Sequence, residues 1–258
     1  KLTAIVKTLK LIGGFNMIEL HQGDCADVMK IMKNNSVDLT VTSPPYDNLR
    51  KYNGYEFDFE NTAQELYRVT KKGGVVVWVI GDATIKGSET GSSFKQALYF
   101  MKCGFNLHDT MIYEKNSSTY PANNKSNRYS QIFEYMFIFS KGKPKTHNLI
   151  KDKPNKWAGY KDFSGKLKNP VPEFSPRNNI WKYTTSFNGK TGHPAVFPEQ
   201  LAYDHILSWS NKGNTVLDCF LGSGTTGKTA KQLSRNFIGI EISKEYLDIA
   251  KERIKNDR

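Results

Sequence analysis

Short apolar runs alternate with amphipathic segments along most of the chain. The pattern predicts strands in MIELHQ, VDLTVTS and VVVWVI, with helices in CADVMKIM and TAQELYRV between them. Towards the carboxyl end it predicts strands in GNTVLDCF and RNFIGIEI, each followed by a helix. VVVWVI is apolar throughout, which is typical of a strand buried on both faces of a parallel sheet. This alternation predicts an α/β fold built on a doubly wound, mostly parallel sheet.

The middle of the chain carries further features of the same pattern. TAQELYRV is followed by TKKGG, so we expect a glycine to end that helix. SSFKQALYFMKCGF predicts another helix, and DTMIYEK and FEYMFIFSK predict two strands. These two strands would suit an antiparallel hairpin, but their connection is long and polar, so the pairing stays open on the sequence alone.

The composition fits one domain of good size, or one domain with an inserted lobe. The chain has 258 residues, of which 38% are hydrophobic. Its three cysteines lack the spacing of a disulfide framework or a zinc site, which indicates a reducing compartment. No apolar run approaches the ~20 residues that cross a bilayer, so we expect a cytoplasmic protein without a membrane partner. Met17 resembles an ordinary chain start, which leaves open that residues 1–16 are a leader or an addition to the natural chain.

The chain is strongly basic, with a formal net charge of +12. Such a balance favours a polyanionic partner, nucleic acid before an anionic membrane. Residues 141–195 hold 11 Lys and 1 Arg against 3 acidic residues, a surplus of nine positive charges. Aromatic residues are interleaved with these cations: Trp157, Tyr160, Phe163, Phe174, Trp181 and Tyr183. The stretch is therefore either a solvated insertion or a nucleic-acid contact lobe, in which lysines meet phosphates and aromatic rings stack.

A glycine-rich turn, LGSGTTG at 221–227, lies between a predicted strand and a predicted helix. Glycines let a ligand approach the backbone closely, and a helix N-terminus presents free N–H groups. Glu241 ends the next strand, 19 positions after Gly222, where a carboxylate can accept hydrogen bonds from both hydroxyls of a ribose. The spacing also fits a dinucleotide-binding dehydrogenase or a purely structural turn. A dehydrogenase chain normally opens with this unit, whereas here only one strand and one helix follow it, so the position argues against NAD.

The segment Ser43-Pro44-Pro45-Tyr46 ends the predicted strand VDLTVTS. Ligands of an open α/β sheet bind beyond the carboxyl ends of its strands, so we expect this segment to face the ribose-binding crevice. Neither proline has an N–H to donate, and both restrict the backbone, so the carbonyls of Ser43 and Pro44 are held as acceptors. Acceptors that grip both N–H protons of a base's exocyclic amine would aim its lone pair at an electrophilic methyl group. The ring of Tyr46 would receive a base that has left the helix stack. The alternative is that the two prolines have a purely structural role and only terminate the strand.

Together these segments resemble the DNA amino-methyltransferases, which use S-adenosylmethionine to form N4-methylcytosine or N6-methyladenine. The catalytic segment precedes the cofactor loop, as in the beta class, whose sheet is a circular rearrangement of the methyltransferase sheet. The similarity runs from about Ile18 to Arg253. It implies a Rossmann-like fold with a circularly permuted motif order, S-adenosylmethionine as the cofactor, double-stranded DNA as the partner, and no metal.

The resemblance also implies roles for individual residues. Ser43, Pro44, Pro45 and Tyr46 match the catalytic motif, with acceptors at Ser43 and Pro44 and a stacking ring at Tyr46. The loop that begins at the end of GNTVLD matches the contacts to the methionine end of the cofactor, which implies roles for Asp218, Phe220, Gly222, Ser223, Gly224 and Thr225.

Three further matches complete the expected cofactor site. Glu241 matches the acid that binds the ribose. Asp24 and Cys25 lie in the segment whose acid and backbone address the adenine of the cofactor. His193 and Pro194 begin a segment that covers the methionine moiety.

The same resemblance divides the chain into parts. Residues 17–140 are the expected catalytic half, residues 141–192 a basic target-recognition insertion, and residues 193–258 the cofactor-binding half. The expected setting is the cytoplasm of a bacterial, archaeal or phage-infected cell. A homodimer and a cognate restriction endonuclease remain open as further partners.

The target base is predicted from Ser43. In this family Ser before Pro-Pro-Tyr accompanies cytosine N4 more often, whereas Asp accompanies adenine N6. We therefore expect a site-specific cytosine-N4 methyltransferase, with adenine N6 of DNA as the alternative. Because a hydroxyl is a weaker acceptor than a carboxylate, Asp47 or Asp82 could assist.

Other activities fit fewer of these features. Methylation at cytosine C5 needs a thiolate, which that enzyme class presents directly after a proline, and none of the three cysteines follows one. An RNA or protein-amide methyltransferase could use the same acceptors. An NAD-dependent oxidoreductase and an inactive nucleic-acid-binding module are the remaining alternatives.

Overall fold

The computed structural model describes residues 7–13, 16–45, 57–118, 122–123, 125–161, 169–184 and 198–256. The strands are β1 (Lys7–Gly13), β2 (Asn16–Gln22), β3 (Val37–Thr42), β4 (Thr70–Ile80), β5 (Thr84–Ile85), β6 (Ser88–Glu89), β7 (Asn106–Lys115), β8 (Phe133–Ser140), β9 (Lys151–Pro154), β10 (Phe174–Pro176), β11 (Ile180–Tyr183), β12 (Thr215–Asp218) and β13 (Asn236–Glu241). The helices are α1 (Cys25–Ile31), α2 (Phe59–Val69), α3 (Ser92–Lys102), α4 (Glu199–Trp209), α5 (Thr225–Gln232) and α6 (Lys244–Asn256).

One nine-stranded sheet carries the fold, in the order β1-β2-β13-β12-β3-β4-β8-β7-β11. The five consecutive strands β2, β13, β12, β3 and β4 are parallel to one another, and β11 is parallel to β7. β1 pairs antiparallel with β2, and β8 pairs antiparallel with both β4 and β7. The predicted α/β fold with a doubly wound, mostly parallel sheet is therefore confirmed. The sequence left the pairing of β7 with β8 open, and the two strands form an antiparallel pair.

Strand β4 shows why the sheet needs helices on both faces. Its side chains alternate between two separate apolar clusters: Val75, Val77 and Val79 belong to one, and Val76, Trp78 and Ile80 to the other. The first cluster packs beneath α4, α5 and α6, and the second packs beneath α1, α2 and α3. A strand buried on both sides has no polar face, which accounts for the uninterrupted apolar run in the sequence.

The predicted end of helix α2 is wrong. We expected a glycine of TKKGG to terminate the helix, but the helix ends at Val69 and β4 begins directly at Thr70. Both the backbone N–H and the hydroxyl of Thr70 donate to the Leu66 carbonyl and cap the last turn. Gly73 adopts a left-handed φ of 84° inside the strand, where the pairing of β3 with β4 shifts register. The glycine therefore serves a bulge in the sheet and not a helix cap.

Part of the basic stretch belongs to the main sheet. β9 and β10 form a separate two-stranded sheet, but β11 pairs with β7, from Ile180 opposite Ile112 to Tyr183 opposite Lys115. Just before β11, Arg177 donates hydrogen bonds to Asp152 at 2.8 and 2.5 Å and to Asp204 of α4 at 2.7 Å. Tyr183 donates to the same oxygen of Asp204 at 2.8 Å. These contacts hold the β9–β10 sheet against α4, and the domain boundaries at 141 and 192 stay predictions.

Two further observations concern the predicted leader and membranes. β1 pairs with β2 along its whole length, so residues 7–13 lie at one edge of the sheet, while the origin of residues 1–16 remains open. Among the described residues, no helix has the length and apolar character that a membrane span requires.

Candidate active site

The predicted catalytic motif and the predicted cofactor loop emerge at the same edge of the sheet. β3, β12 and β13 are neighbouring parallel strands, so their carboxyl ends open on one side. β3 leads into Ser43, β12 leads into the glycine loop, and β13 ends at Glu241. This is the edge at which ligands bind in open α/β sheets.

A buried hydrogen bond joins the two segments directly. The Thr42 hydroxyl donates to Asp218 Oδ1 at 2.7 Å, and the backbone N–H of Phe220 donates to the same oxygen at 3.1 Å. Asp218 is only 2% exposed. Burial raises the pKa of Asp218, and its hydrogen bonds oppose that rise. The carboxyl group thus fixes the start of the glycine loop beside the residue that precedes Ser43.

The catalytic motif itself is partly enclosed. Pro44 is buried, and Ser43 and Pro45 on either side of it are half-buried. Tyr46 lies outside the described residues, so its predicted stacking role stays a prediction. The described part of the motif is therefore a short, stiff segment with a buried centre at the end of β3.

Two glycines shape the cofactor loop. Gly222 and Gly224 adopt left-handed φ values of 52° and 84°, which other residues rarely adopt. A Cβ on Gly224 would lie 2.9 Å from the Cβ of Ala250 in α6, closer than carbon atoms can approach. The loop can therefore turn tightly into α5 only because glycine occupies these positions.

Glu241 is oriented by the backbone around it. Its two carboxylate oxygens accept from the N–H groups of Gly222 at 2.8 Å and Ser243 at 2.9 Å, and its carbonyl accepts from Gly23 N–H at 3.0 Å. Burial raises the pKa of Glu241, and the two backbone donors oppose the rise. The acid predicted to bind the ribose therefore lies between the glycine loop and the turn that joins β2 to α1.

Asp24 and Cys25 occupy that turn, but their side chains face different ways. Asp24 is the N-cap of α1, where its carboxylate accepts from Asp27 N–H at 3.0 Å. The thiol of Cys25 is buried and lies 3.4 Å from the Thr62 hydroxyl of α2. Burial raises the pKa of Cys25 to about 12, so the thiol stays protonated. Its sulfur is therefore turned towards α2 rather than towards the sheet edge.

Arg253 is a residue of this site that the sequence analysis missed. From α6 its Nη1 donates to the Ser223 carbonyl at 2.8 Å and to the Ser223 hydroxyl at 2.7 Å, and it lies 3.4 Å from the Thr225 hydroxyl. Both Ser223 and Thr225 are buried. Arg253 thus ties the loop to α6 through both the hydroxyl and the backbone carbonyl of Ser223. Spacing gave the available signal, because Ala250 and Arg253 share one face of α6.

Phe220 contributes an aromatic wall. Its half-buried ring makes edge contacts with Phe57, with ring centres 5.1 Å apart, and with Trp78 at 6.1 Å. Asp82, which follows β4 at the same edge, accepts from the N–H of Ser93 at 2.9 Å and from its hydroxyl at 2.5 Å. The carboxylate suggested as a helper for the amine is therefore already engaged at the start of α3.

Four of the predicted positions fall in parts of the chain that the structure does not describe. His193 and Pro194, like Tyr46 and Asp47, lie outside the described residues. Within the described part of the chain, no group of three or more His, Cys, Asp or Glu side chains could hold a metal ion.

The groups at this edge fit S-adenosylmethionine. Each carboxylate oxygen of Glu241 accepts one hydrogen bond from a backbone N–H. Each oxygen keeps a further lone pair, which can accept a hydrogen bond from a hydroxyl such as those of a ribose. The adjoining loop has no side chain at Gly222, so a ligand can lie against its backbone there.

Comparison with known proteins identifies the family. The family model N6_N4_Mtase, described as DNA methylase, matches residues 37–252. The orphan methyltransferase M.BamHII of Bacillus amyloliquefaciens is 61% identical over 240 residues, which cover 86% of this chain and 89% of the relative.

Solved structures agree with this result. The M1.HpyAVI–SAM complex is 28% identical with a TM-score of 0.66, and the match covers 92% of this chain and 99% of the other. The PvuII DNA methyltransferase, described as cytosine-N4-specific, matches with a TM-score of 0.70 at 23% identity over 92% of this chain and 86% of its own, which shows a shared fold. With the catalytic motif ahead of the cofactor loop, the chain belongs to the N6/N4 family of S-adenosylmethionine-dependent DNA methyltransferases and to its beta class.

Proposed function

We propose that this enzyme methylates the exocyclic N4 amine of cytosine at a specific site in double-stranded DNA. The observation that carries the proposal is the 2.7 Å hydrogen bond from Thr42 to Asp218, because it joins the catalytic motif to the cofactor loop. A base held at Ser43 would lie at the edge of the sheet that also presents Glu241 and the glycine loop.

The proposed chemistry needs positioned acceptors and no covalent intermediate. The Ser43 hydroxyl and the Pro44 carbonyl accept hydrogen bonds from the two N–H groups of the amine, which directs the nitrogen lone pair. S-adenosylmethionine supplies the methyl group. A bond would form between the amine nitrogen and the methyl carbon while the bond from that carbon to the sulfonium sulfur breaks, its electron pair staying on the sulfur. S-adenosylhomocysteine would leave, and the amine nitrogen would release one proton to solvent. Tyr46 stacks on the base after it has left the duplex.

Cytosine is preferred to adenine because the first residue of the motif is Ser43 and not an aspartate. We take the acceptors at this position to be neutral, the Ser43 hydroxyl and the Pro44 carbonyl, because the Asp82 carboxylate is oriented by Ser93 at the start of α3. Adenine N6 is the second candidate. The described exposed cations and rings of the basic stretch, among them Lys156, Trp157 and Tyr160, support its proposed role in contacting the target DNA.

The setting of the enzyme is part of the proposal. The relative from Bacillus amyloliquefaciens is described as an orphan methyltransferase, and we extend this description to the present chain. It would then act on DNA in the cytoplasm without a cognate restriction endonuclease.

One experiment tests base and site together. The chain is expressed in cells that lack DNA methylation, and the genomic DNA is digested to nucleosides and sequenced for modified bases. We expect N4-methylcytosine within one short recognition sequence. N6-methyladenine would establish the second candidate, and unmodified DNA combined with methylated RNA or protein would refute the proposal.

A further inference from the structure

The loop that joins β7 to β8 opens at the catalytic edge of the sheet. Thr42 of β3 pairs with Trp78, Trp78 with Phe137, and Phe137 with Thr110 of β7. Neighbouring strands are about 4.8 Å apart, which places β7 roughly 14 Å from β3. β7 runs in the same direction as β3, because two antiparallel pairings separate it from β4. The described residues of the connection, 116–118, 122–123 and 125–132, therefore lie beyond the end of β7, on the same side of the sheet as the catalytic motif.

This loop is tied to a second loop of the same edge. The short hairpin of β5 and β6 follows β4, and Arg128 Nη2 donates to its Gly87 carbonyl. Arg128 also forms an ion pair with Glu89 at 3.7 Å. At the base of the loop, Lys115 N–H donates to the Ile132 carbonyl at 2.6 Å. We call residues 84–89 and 125–132 together the rim.

The rim exposes large apolar side chains to solvent, although such side chains are more stable when buried. Tyr129 is fully exposed, at 101% of its reference area, and Ile85 and Ile132 are 51% and 41% exposed. Lys86 and Lys125 are exposed on the same two segments. Three apolar side chains between cations, all at the catalytic edge, match the surface that proteins present to an opened nucleic acid duplex.

We propose that the rim is a second DNA-contact surface, on which Tyr129 stacks against bases next to the target and fills the gap left when the target base flips out. This inference rests on the proposed function. Unstacking a base costs a few kcal/mol, and a ring that takes its place recovers part of that cost. Lys86 and Lys125 meet the phosphates on either side. Arg128 holds the loop in place through the β5–β6 hairpin.

The test compares Tyr129→Ala and Tyr129→Phe with Leu98→Ala, a control on α3 whose side chain is 67% exposed. Methylation is assayed on a duplex that carries the unmethylated recognition sequence, and base flipping is assayed on the same duplex with 2-aminopurine in place of the target base. We expect Tyr129→Ala to lower kcat/KM for DNA by about ten- to a hundredfold and to reduce the fluorescence rise on binding. Tyr129→Phe keeps the ring and should match the wild-type protein, as should Leu98→Ala.

The possible outcomes separate this inference from the function beneath it. Affinity for S-adenosylmethionine and the melting temperature should be unchanged in Tyr129→Ala, which would exclude a folding defect. Wild-type methylation and fluorescence in Tyr129→Ala would overturn the role of the rim while leaving the proposed function intact. The same would hold if the substitution changed only the oligomeric state, because the rim would then be a protein contact. A wild-type enzyme that methylates no DNA would overturn both.

Discussion

Thr42 and Asp218 are 176 positions apart in the chain, yet the Thr42 hydroxyl donates to the buried Asp218 carboxylate at 2.7 Å. The threonine precedes Ser43, the proposed acceptor for the amine, and the aspartate opens the glycine loop. The sulfur of Cys219 lies 3.8 Å from the same hydroxyl. One threonine side chain therefore sets the position of both halves of the active site relative to each other.

Replacing Thr42 with valine should separate these halves. Valine keeps the shape but cannot donate, which leaves a buried carboxyl group with one hydrogen bond fewer. We expect a loss of roughly 1–3 kcal/mol in the free energy of unfolding, measured by urea denaturation. Methyl transfer should fall as well. Thr40→Val provides a control inside β3, since the Thr40 hydroxyl is buried without a hydrogen bond partner in the described structure. Equal stability of the two variants would contradict the role of the bond.

Ser43→Ala should reduce methyl transfer by about a hundred- to a thousandfold, because the amine loses one of its two positioned acceptors. Binding of S-adenosylmethionine, measured by calorimetry, should stay at the wild-type level. Ser36→Ala, at the opposite end of β3, is the matched control. Full activity in Ser43→Ala would remove the hydroxyl from the mechanism.

Arg253→Ala should weaken cofactor binding by roughly tenfold or more, since the guanidinium group no longer holds the Ser223 carbonyl and hydroxyl. Lys255→Ala removes a charge from an exposed position of the same helix and should have little effect. DNA affinity in the absence of cofactor should not differ between the two variants. If both bind S-adenosylmethionine equally well, the loop does not depend on Arg253.

Cofactor affinity should fall on mild acidification because the pKa of Glu241 is raised above its usual value of 4.5. As the pH falls through this raised value, the carboxylate gains a proton and loses acceptor capacity for the ribose. The effect on stability has the opposite sign, because the folded state binds this proton more tightly than the unfolded state does. The contribution of Glu241 to stability is thus complete below pH 4.5 and is lost as the pH rises through the folded pKa. Glu241→Gln should bind the cofactor weakly at every pH, and a pH dependence that survives in this variant would assign it to another group.

Replacing Lys151, Lys156 and Lys161 with alanine should weaken DNA binding, because these exposed lysines lie in the basic stretch. Each lost phosphate contact should also reduce the slope of log affinity against log salt by about 0.9. The control triple variant changes Lys30, Lys33 and Lys102, which are exposed residues outside the basic stretch. Equal affinity and salt dependence in the two triple variants would show that the basic stretch does not contact DNA.

The parts of the fold that were predicted correctly depend on local patterns. The apolar run in β4 and the glycine turn before α5 are contiguous in the chain, so a short window contains the whole signal. Arg253 was missed because its partner Ser223 is 30 positions away, and its spacing from Ala250 shows only which face of α6 it shares. β11 was also missed. It has only four residues and two buried side chains, so its sequence resembles the basic stretch around it.

The end of α2 shows how tertiary structure overrides a local rule. Glycine after a helix usually marks its end, but here Gly73 lies four residues beyond the end of α2 at Val69, where its N–H donates to the Lys141 carbonyl after β8. The orientation of Cys25 could not be predicted either. Its direction follows from the packing of α1 against α2, which brings Thr62 to the thiol.

The insertion of β11 into the main sheet has a consequence for engineering sequence specificity. A recognition module that ended before the sheet could be exchanged between relatives as a cassette. Here an exchange of the whole basic stretch would remove β11, the strand that pairs with β7. Asp204 of α4 would also lose its hydrogen bonds from Arg177 and Tyr183. Grafts that begin after Asp152 and end before Arg177 would keep this anchorage, and they are the transplants we expect to fold.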